Sequence, residues 1–256
     1  MRKLKGYFLA DVKRAFVSLK FLMAIVLMII ILFFAMLEGI ALDTNVLYVF
    51  SIVMYGMPSM IVLVCAAIPY ADSFCEDVEK RYIFQIAIRG EIKNYVSVRV
   101  LSIFLSAMVT TSLGLFLYAL ILHLRLEWVD MEEVAIQADG YSYLLKRGWY
   151  WAYYLGYGIR YGTLAGLLSL WSSCLSLYLP NRMLTLAAPM LIYYFIDFIL
   201  AKLFQGLVNL SVIFSPGKSL YFDESFAMSL VVGIVIINFW LLRRILMGAL
   251  RGKIYE

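Results

Sequence analysis

Residues 72–99 read DSFCEDVEKRYIFQIAIRGEIKNYVSVR, a polar interruption between two long apolar runs. Charged residues crowd its front half (Glu76, Asp77, Glu79, Lys80, Arg81), and an apolar set follows at Tyr82, Ile83, Phe84, Ile86 and Ile88. The spacing predicts a short helix over Glu76 to Ile88, with its acidic residues at the positive end of the helix dipole and Gly90 available to stop it. A solvated connection with balanced charges does not need that apolar cluster, which would be an exposed patch if nothing covered it. The segment therefore reads as a docking element, with the membrane surface as the alternative to a protein partner.

The rest of the composition sets the environment. The chain has 256 residues, 64% hydrophobic and 15% charged, with a mean hydropathy of +0.89. That is far beyond what a soluble core can bury, so lipid must cover much of it. Of the three cysteines, Cys65 and Cys174 fall inside expected spans and Cys75 on the basic side, an arrangement that does not suggest disulfides.

Outward from residues 72–99, hydropathy predicts an all-α chain with six crossings. Residues 1–20 place Leu4, Phe8, Val12, Phe16 and Leu19 at helical spacing opposite Arg2, Lys3, Lys5, Lys13, Arg14 and Lys20, the pattern of an interfacial amphipathic helix. The apolar run after it is too long for a cleaved signal peptide and lacks a cleavage site, so it reads as a retained anchor. Spans are expected at about 21–40, 48–70, 100–122, 161–179, 183–204 and 226–242, with a kink at Pro58. Residues 123–160 form an outer loop ending in an aromatic interfacial segment, Trp149 to Gly158. Residues 205–225 are an outer segment with its own apolar stripe, compatible with a half-inserted hairpin. No internal repeat or linker divides the chain, which reads as one transmembrane domain over 1–256.

Of the 22 Lys and Arg residues, six lie at the N-terminus, five in 72–99, one at Arg182 and four in the tail. The others, including Arg125, Lys146, Arg147 and Arg160, lie on the opposite side. The positive-inside rule puts both termini in the cytoplasm, which agrees with six crossings.

Catalytic material is scarce. The single histidine, His123, has no ligand-spaced Cys, His or Glu nearby, which disfavours metal or triad chemistry. Gly217-Lys218-Ser219 looks like the end of a phosphate-binding loop, but Val212 stands where a glycine is required. No nucleotide-binding fold fits the remaining polar residues. The chain is not expected to be an enzyme, and any energy it uses must come from another polypeptide.

The order of a basic amphipathic helix, two spans, a basic-side loop with a short helix, four further spans and an outer segment between the last two resembles the permease subunits of ABC-2 type ABC transporters. The most specific local match is Phe74, Glu76, Glu79, Arg89, Tyr95 and Arg99, an aromatic, acidic residues, then a basic residue, a Tyr and a basic residue leading into the third span. The resemblance implies that Glu76 to Ile88 is a coupling helix seated in a separate cytoplasmic ATP-binding subunit. Glu76, Asp77, Glu79, Arg81, Tyr82, Phe84 and Arg89 would make that contact. It further implies a second permease chain, identical or different, and a bacterial plasma membrane. ATP and Mg would reside in the partner, with no cofactor in this chain and no nucleic acid among its ligands. The cargo would be an amphipathic, lipid-like or peptide molecule, exported through a cavity at the dimer interface. The outer loop 123–148 and the aromatic 149–158 depart from many short members and leave the cargo class open.

Asp197 lies about 14 residues into the fifth span, roughly 21 Å from its inner end. A carboxylate there is costly and suggests pairing or function. Arg160, matched in depth, is its expected partner, with Lys202 as the alternative and substrate contact as the sharper reading. The aromatic residues from Tyr141 to Tyr161 read as an interface belt. Gly156, Gly158, Gly162 and Gly166 read as a close-packing stripe, with the dimer seam as one candidate location. Two other classes stay open: a secondary transporter or channel, whose ion site would have to use Arg160 and Asp197, and a non-transporting anchor or sensor subunit of an ATPase complex.

Overall fold

The first bend in the chain separates its basic segment from its first apolar one. Helix α1 (Arg2–Phe16) ends at Val17–Ser18 and α2 (Leu19–Leu37) begins immediately after. The Ser18 hydroxyl donates to the Ala15 carbonyl at 3.1 Å and accepts the Phe21 N–H at 3.2 Å, so one side chain closes the first helix and caps the second. The computed structural model describes residues 2–37, 45–83, 85, 92–130, 141–203, 210–215 and 224–255. Among them the chain is helical, with no strand.

Beyond α2 come α3 (Val46–Tyr55), α4 (Pro58–Ala67), α5 (Ser73–Glu79) and α6 (Ile92–His123). They are followed by α7 (Ser142–Lys146), α8 (Tyr150–Tyr178), α9 (Arg182–Leu203), α10 (Leu210–Phe214) and α11 (Glu224–Tyr255). Asn45 caps α3 by accepting the Tyr48 N–H at 2.8 Å. The expected second span is bent by 79° between α3 and α4. The break falls at Gly56–Met57, just before Pro58, which sits in the first turn of α4, where proline sacrifices no hydrogen bond.

Among the described residues four helices are long and apolar enough to cross a membrane, and five segments are if the bent α3–α4 pair counts as one. Several such helices are compatible with a membrane-embedded, multi-pass chain. The expectation of six finds four or five by length and composition. The difference is α8, which has 29 residues but carries Arg160 and several tyrosines, serines and glycines.

Helix α8 is the axis of the bundle. It packs most extensively on α6 and also touches α4, α5, α9 and α11. The aromatic stretch expected at Trp149 to Gly158, leading into the fourth span, runs into it without a break: residues 150–158 are the first turns of this one continuous helix. Its glycines bring it close to α6. A Cβ at Gly158 would stand 2.9 Å from the Ser112 Cα, and one at Gly162 would stand 2.7 Å from the Met108 carbonyl oxygen. These glycines let α8 lie against the backbone of α6 within the chain. The aromatic set divides accordingly: Tyr153, Tyr154, Tyr157 and Tyr161 are buried, whereas Tyr143, Trp149 and Trp151 remain exposed.

Three polar side chains on α8 find partners in its neighbours. Tyr161 donates to the Ser59 carbonyl at 2.8 Å, Ser173 to the Ala71 carbonyl at 2.8 Å, and Trp171 Nε1 to Asn238 Oδ1 at 2.9 Å. These bonds tie α4, the α4–α5 corner and α11 to the axis in a setting where an unmade hydrogen bond costs most.

The expected helix from Glu76 to Ile88 begins earlier and is broken after Glu79, with residues 82, 83 and 85 helical again beyond the break. Helix α5 starts at Ser73 and ends at Glu79. Arg81, with φ of 54°, takes a left-handed conformation beyond it, and its N–H donates to the Val78 carbonyl at 3.0 Å. The register follows from burial, since Ser73, Phe74, Cys75 and Asp77 all face inward. Phe84, Ile86, Ile88 and Arg89 lie outside the described residues.

Candidate functional site

At the basic end of the bundle one buried Arg, two Asp and two Tyr come together where α1, the α4–α5 corner, α5 and α6 meet. Arg99, on the second turn of α6, is 1% exposed and is the largest fully buried side chain. Its fork is fully used. One terminal nitrogen donates to Asp11 of α1 at 2.9 Å and to the Tyr70 hydroxyl, and the other forms an ion pair with Asp77 of α5. Tyr95 and Tyr70 present their ring faces at 5.1 Å from the guanidinium carbon. Tyr70 donates to Asp11 at 2.8 Å, and Tyr95 to Asp77 at 2.5 Å.

A second layer of charge encloses the first. Arg14 of α1 reaches Asp77 at 3.2 Å and also pairs with Glu76. Lys20, at the start of α2, donates to Asp72 at 2.8 Å and to Glu76 at 3.1 Å. On the far side of α5, Glu79 pairs with Arg182, the first residue of α9.

The electrostatics follow from this arrangement. Burial pushes the Glu76 carboxyl up, but Lys20 and Arg14 together outweigh it and hold the group at about 2. For Asp11, burial is the largest influence and raises the carboxyl above its usual value despite Arg99 and Tyr70. Burial works against the charge on Arg14, but Asp77 more than compensates and the guanidinium is held above its usual range. The hydrogen bond from Arg182 lowers the Glu79 carboxyl.

The residues expected to meet a partner therefore separate. Asp77 is 2% exposed and Glu76 is engaged by α1 and α2, so both serve the chain's own architecture. Glu79, Arg81 and Tyr82 are exposed, while Ile83 turns into the core at 5% exposure. The residues that organise this end, Asp11, Tyr70, Tyr95 and Arg99, were not anticipated as a group. Two signals were available: Asp11 is the one acid in a basic helix, and Arg99 sits at the mouth of an apolar run.

No family model, curated protein or solved structure matches this chain. Function therefore rests on what the geometry can do. Helix α5 is linked by ion pairs to α1, α2, α6 and α9. Among the described residues no group of three His, Cys, Asp or Glu is placed to hold a metal ion.

At the opposite end, the two charges expected to pair are joined through α10. Arg160 of α8 is 3% exposed and donates to the Ile213 carbonyl at 2.9 Å through a terminal nitrogen. Asp197 of α9 accepts the Leu210 N–H at 2.8 Å, at the first residue of α10. The two side chains hold opposite ends of one short helix and make no ion pair with each other. The ammonium of Lys202 lies 4.5 Å from the Phe198 ring centroid. An aromatic stack closes the same end: His123 lies parallel to Trp128 at 3.9 Å, and Phe50 sits edge-on to Tyr154 and Tyr157.

Proposed function

We propose that the chain is the membrane-spanning permease subunit of an ATP-driven exporter, half of a translocation path powered by a separate cytoplasmic ATP-binding subunit. The observation that carries this reading is the mechanical continuity at the basic end. An exposed surface at Glu79, Arg81 and Tyr82 lies at and just beyond the end of a short helix whose inner face is clamped, through Asp77 and Arg99, to the base of a long buried span. A rigid element clamped in this way passes a push on one face to several spans together, which is what alternating access by tilting requires.

In this reading α8 is the fourth crossing, which brings the total to six. Its composition does not forbid that, because its polar residues are covered by α4, α6, α9 and α11 rather than by lipid. Both termini lie in the cytoplasm, ATP and Mg reside in the partner, and a second permease chain completes the path. The layout supports an amphipathic, lipid-like or peptide cargo by analogy with the ABC-2 permeases.

The test is purification of the tagged chain from its native membrane in mild detergent. The expected result is co-purification of an ATP-binding protein, weakened by Glu79→Arg together with Tyr82→Ala. Cargo movement by vesicles holding only this chain, unaffected by ATP depletion, would overturn the proposal in favour of a secondary transporter.

A further inference from the structure

Two hollows on the outside of the bundle form one groove. The first, about 490 Å³, lies between α8 and α11 and is bounded by Tyr141, Gly156, Arg160 and Met228. The second, about 650 Å³, lies between α6 and α11 and runs down to Ser97, Trp240 and Arg243. They share Phe104, Val235 and Ile236 as a common wall. The groove is apolar along its length, with a guanidinium at each end and no described acidic side chain lining either half.

The inner half has the dimensions of one leaflet. Val235 to Arg243 spans eight residues of helix, about 12 Å, against about 15 Å for half of a hydrocarbon core. At its mouth the cations gather. Arg243 lines the groove, Arg244 stacks on Trp240 at 4.1 Å, and Lys93 lies one turn below Ser97 on α6. Trp240 is 57% exposed, at the level where an indole favours the headgroup region. We infer that the inner half of this groove is a binding site for an anionic phospholipid, its phosphate at Arg243 and Lys93 and one acyl chain laid between α6 and α11 along Leu101, Phe104 and Ile236. A zwitterionic lipid would fill the same apolar channel but would not reward a basic mouth that no described acidic side chain lines. A second copy of the chain would cover the apolar wall but would place another basic tail beside this one. The site stands whether or not an ATPase docks at α5.

The experiment reconstitutes the full chain into nanodiscs of equal phosphatidylglycerol and phosphatidylcholine and counts retained lipids by native mass spectrometry. Wild type is expected to retain phosphatidylglycerol in preference. Arg243→Gln should lower that preference about fivefold, the factor one basic residue contributes at an anionic surface. Leu101→Trp, which fills the channel from an exposed position, should lower retention of both lipids. Equal retention of the two lipids by wild type, or unchanged retention in both variants, would overturn the inference. Disulfide-linked dimers from Ile236→Cys would also overturn it by putting a second copy in the groove; the native Cys65, Cys75 and Cys174 are buried.

Discussion

Replacing Arg99 by Met keeps an unbranched apolar stem in place of the aliphatic part of the side chain while deleting its charge and its five donors. Asp77, 2% exposed, would keep only Arg14 at 3.2 Å and Tyr95 at 2.5 Å, and Asp11 would keep Tyr70 at 2.8 Å. Removing one member of a buried pair costs about 3–5 kcal/mol, because the remaining charge has no counter-ion. The surviving partners place this case at the low end, about 3 kcal/mol, or roughly 6–12 °C in melting temperature for a chain of this size. The assay is thermal unfolding in a fixed detergent of wild type, Arg99→Met, Asp77→Asn and the double variant. The double variant should be more stable than the sum of the singles requires, since it buries no orphaned carboxylate at position 77. A melting temperature for Arg99→Met within about 2 °C of wild type, or strict additivity, would refute the reasoning.

Three further outcomes follow from the same structure. Because Glu76 is held at about 2, below its ordinary 4.5, its contribution is complete above 4.5 and is lost as pH falls towards 2. The melting-temperature gap between wild type and Glu76→Gln should close across that window, and a gap independent of pH would contradict it; the raised carboxyl of Asp11 acts with the opposite sign. Gly158→Ala and Gly162→Ala drive a methyl into the backbone of α6 and should each cost about 1–3 kcal/mol. Gly233→Ala, which meets nothing within 4 Å, should be neutral or stabilising in the same melt. Asp197→Ala removes the acceptor for the Leu210 N–H and should cost about 1.5–3 kcal/mol, whereas Asp197→Asn keeps an oxygen there and should stay close to wild type in the same assay.

What the sequence disclosed and what it hid divide along physical lines. The charge-opposed faces of residues 1–20 marked α1, and Gly56 and Pro58 marked the break in the second apolar run, because each is a local property. For α8 the sequence offered a glycine stripe but not its partner: that α6 lies 2.7–2.9 Å from the missing Cβ atoms at Gly158 and Gly162 is set by the fold, not by the local run of Tyr and Gly. The basic-end site was half visible. Periodicity placed a short acidic helix in residues 72–99, but the inward turn of Asp77 depends on Arg99, 22 residues away, and on Asp11, 88 residues from Arg99. Counting Arg99 as a topology-setting charge hid its place at the centre of the network. Arg160 and Asp197 were matched in depth by helical rise alone, which could not foresee α10 standing between them.

The most direct measurement is site-specific photo-crosslinking from Tyr82, 37% exposed just beyond the end of the clamped helix, in the native membrane. An adduct with an ATP-binding protein, identified by mass spectrometry, is the predicted result. Adducts with lipid alone, together with labelling of position 82 by a membrane-impermeant reagent applied outside intact cells, would contradict the account.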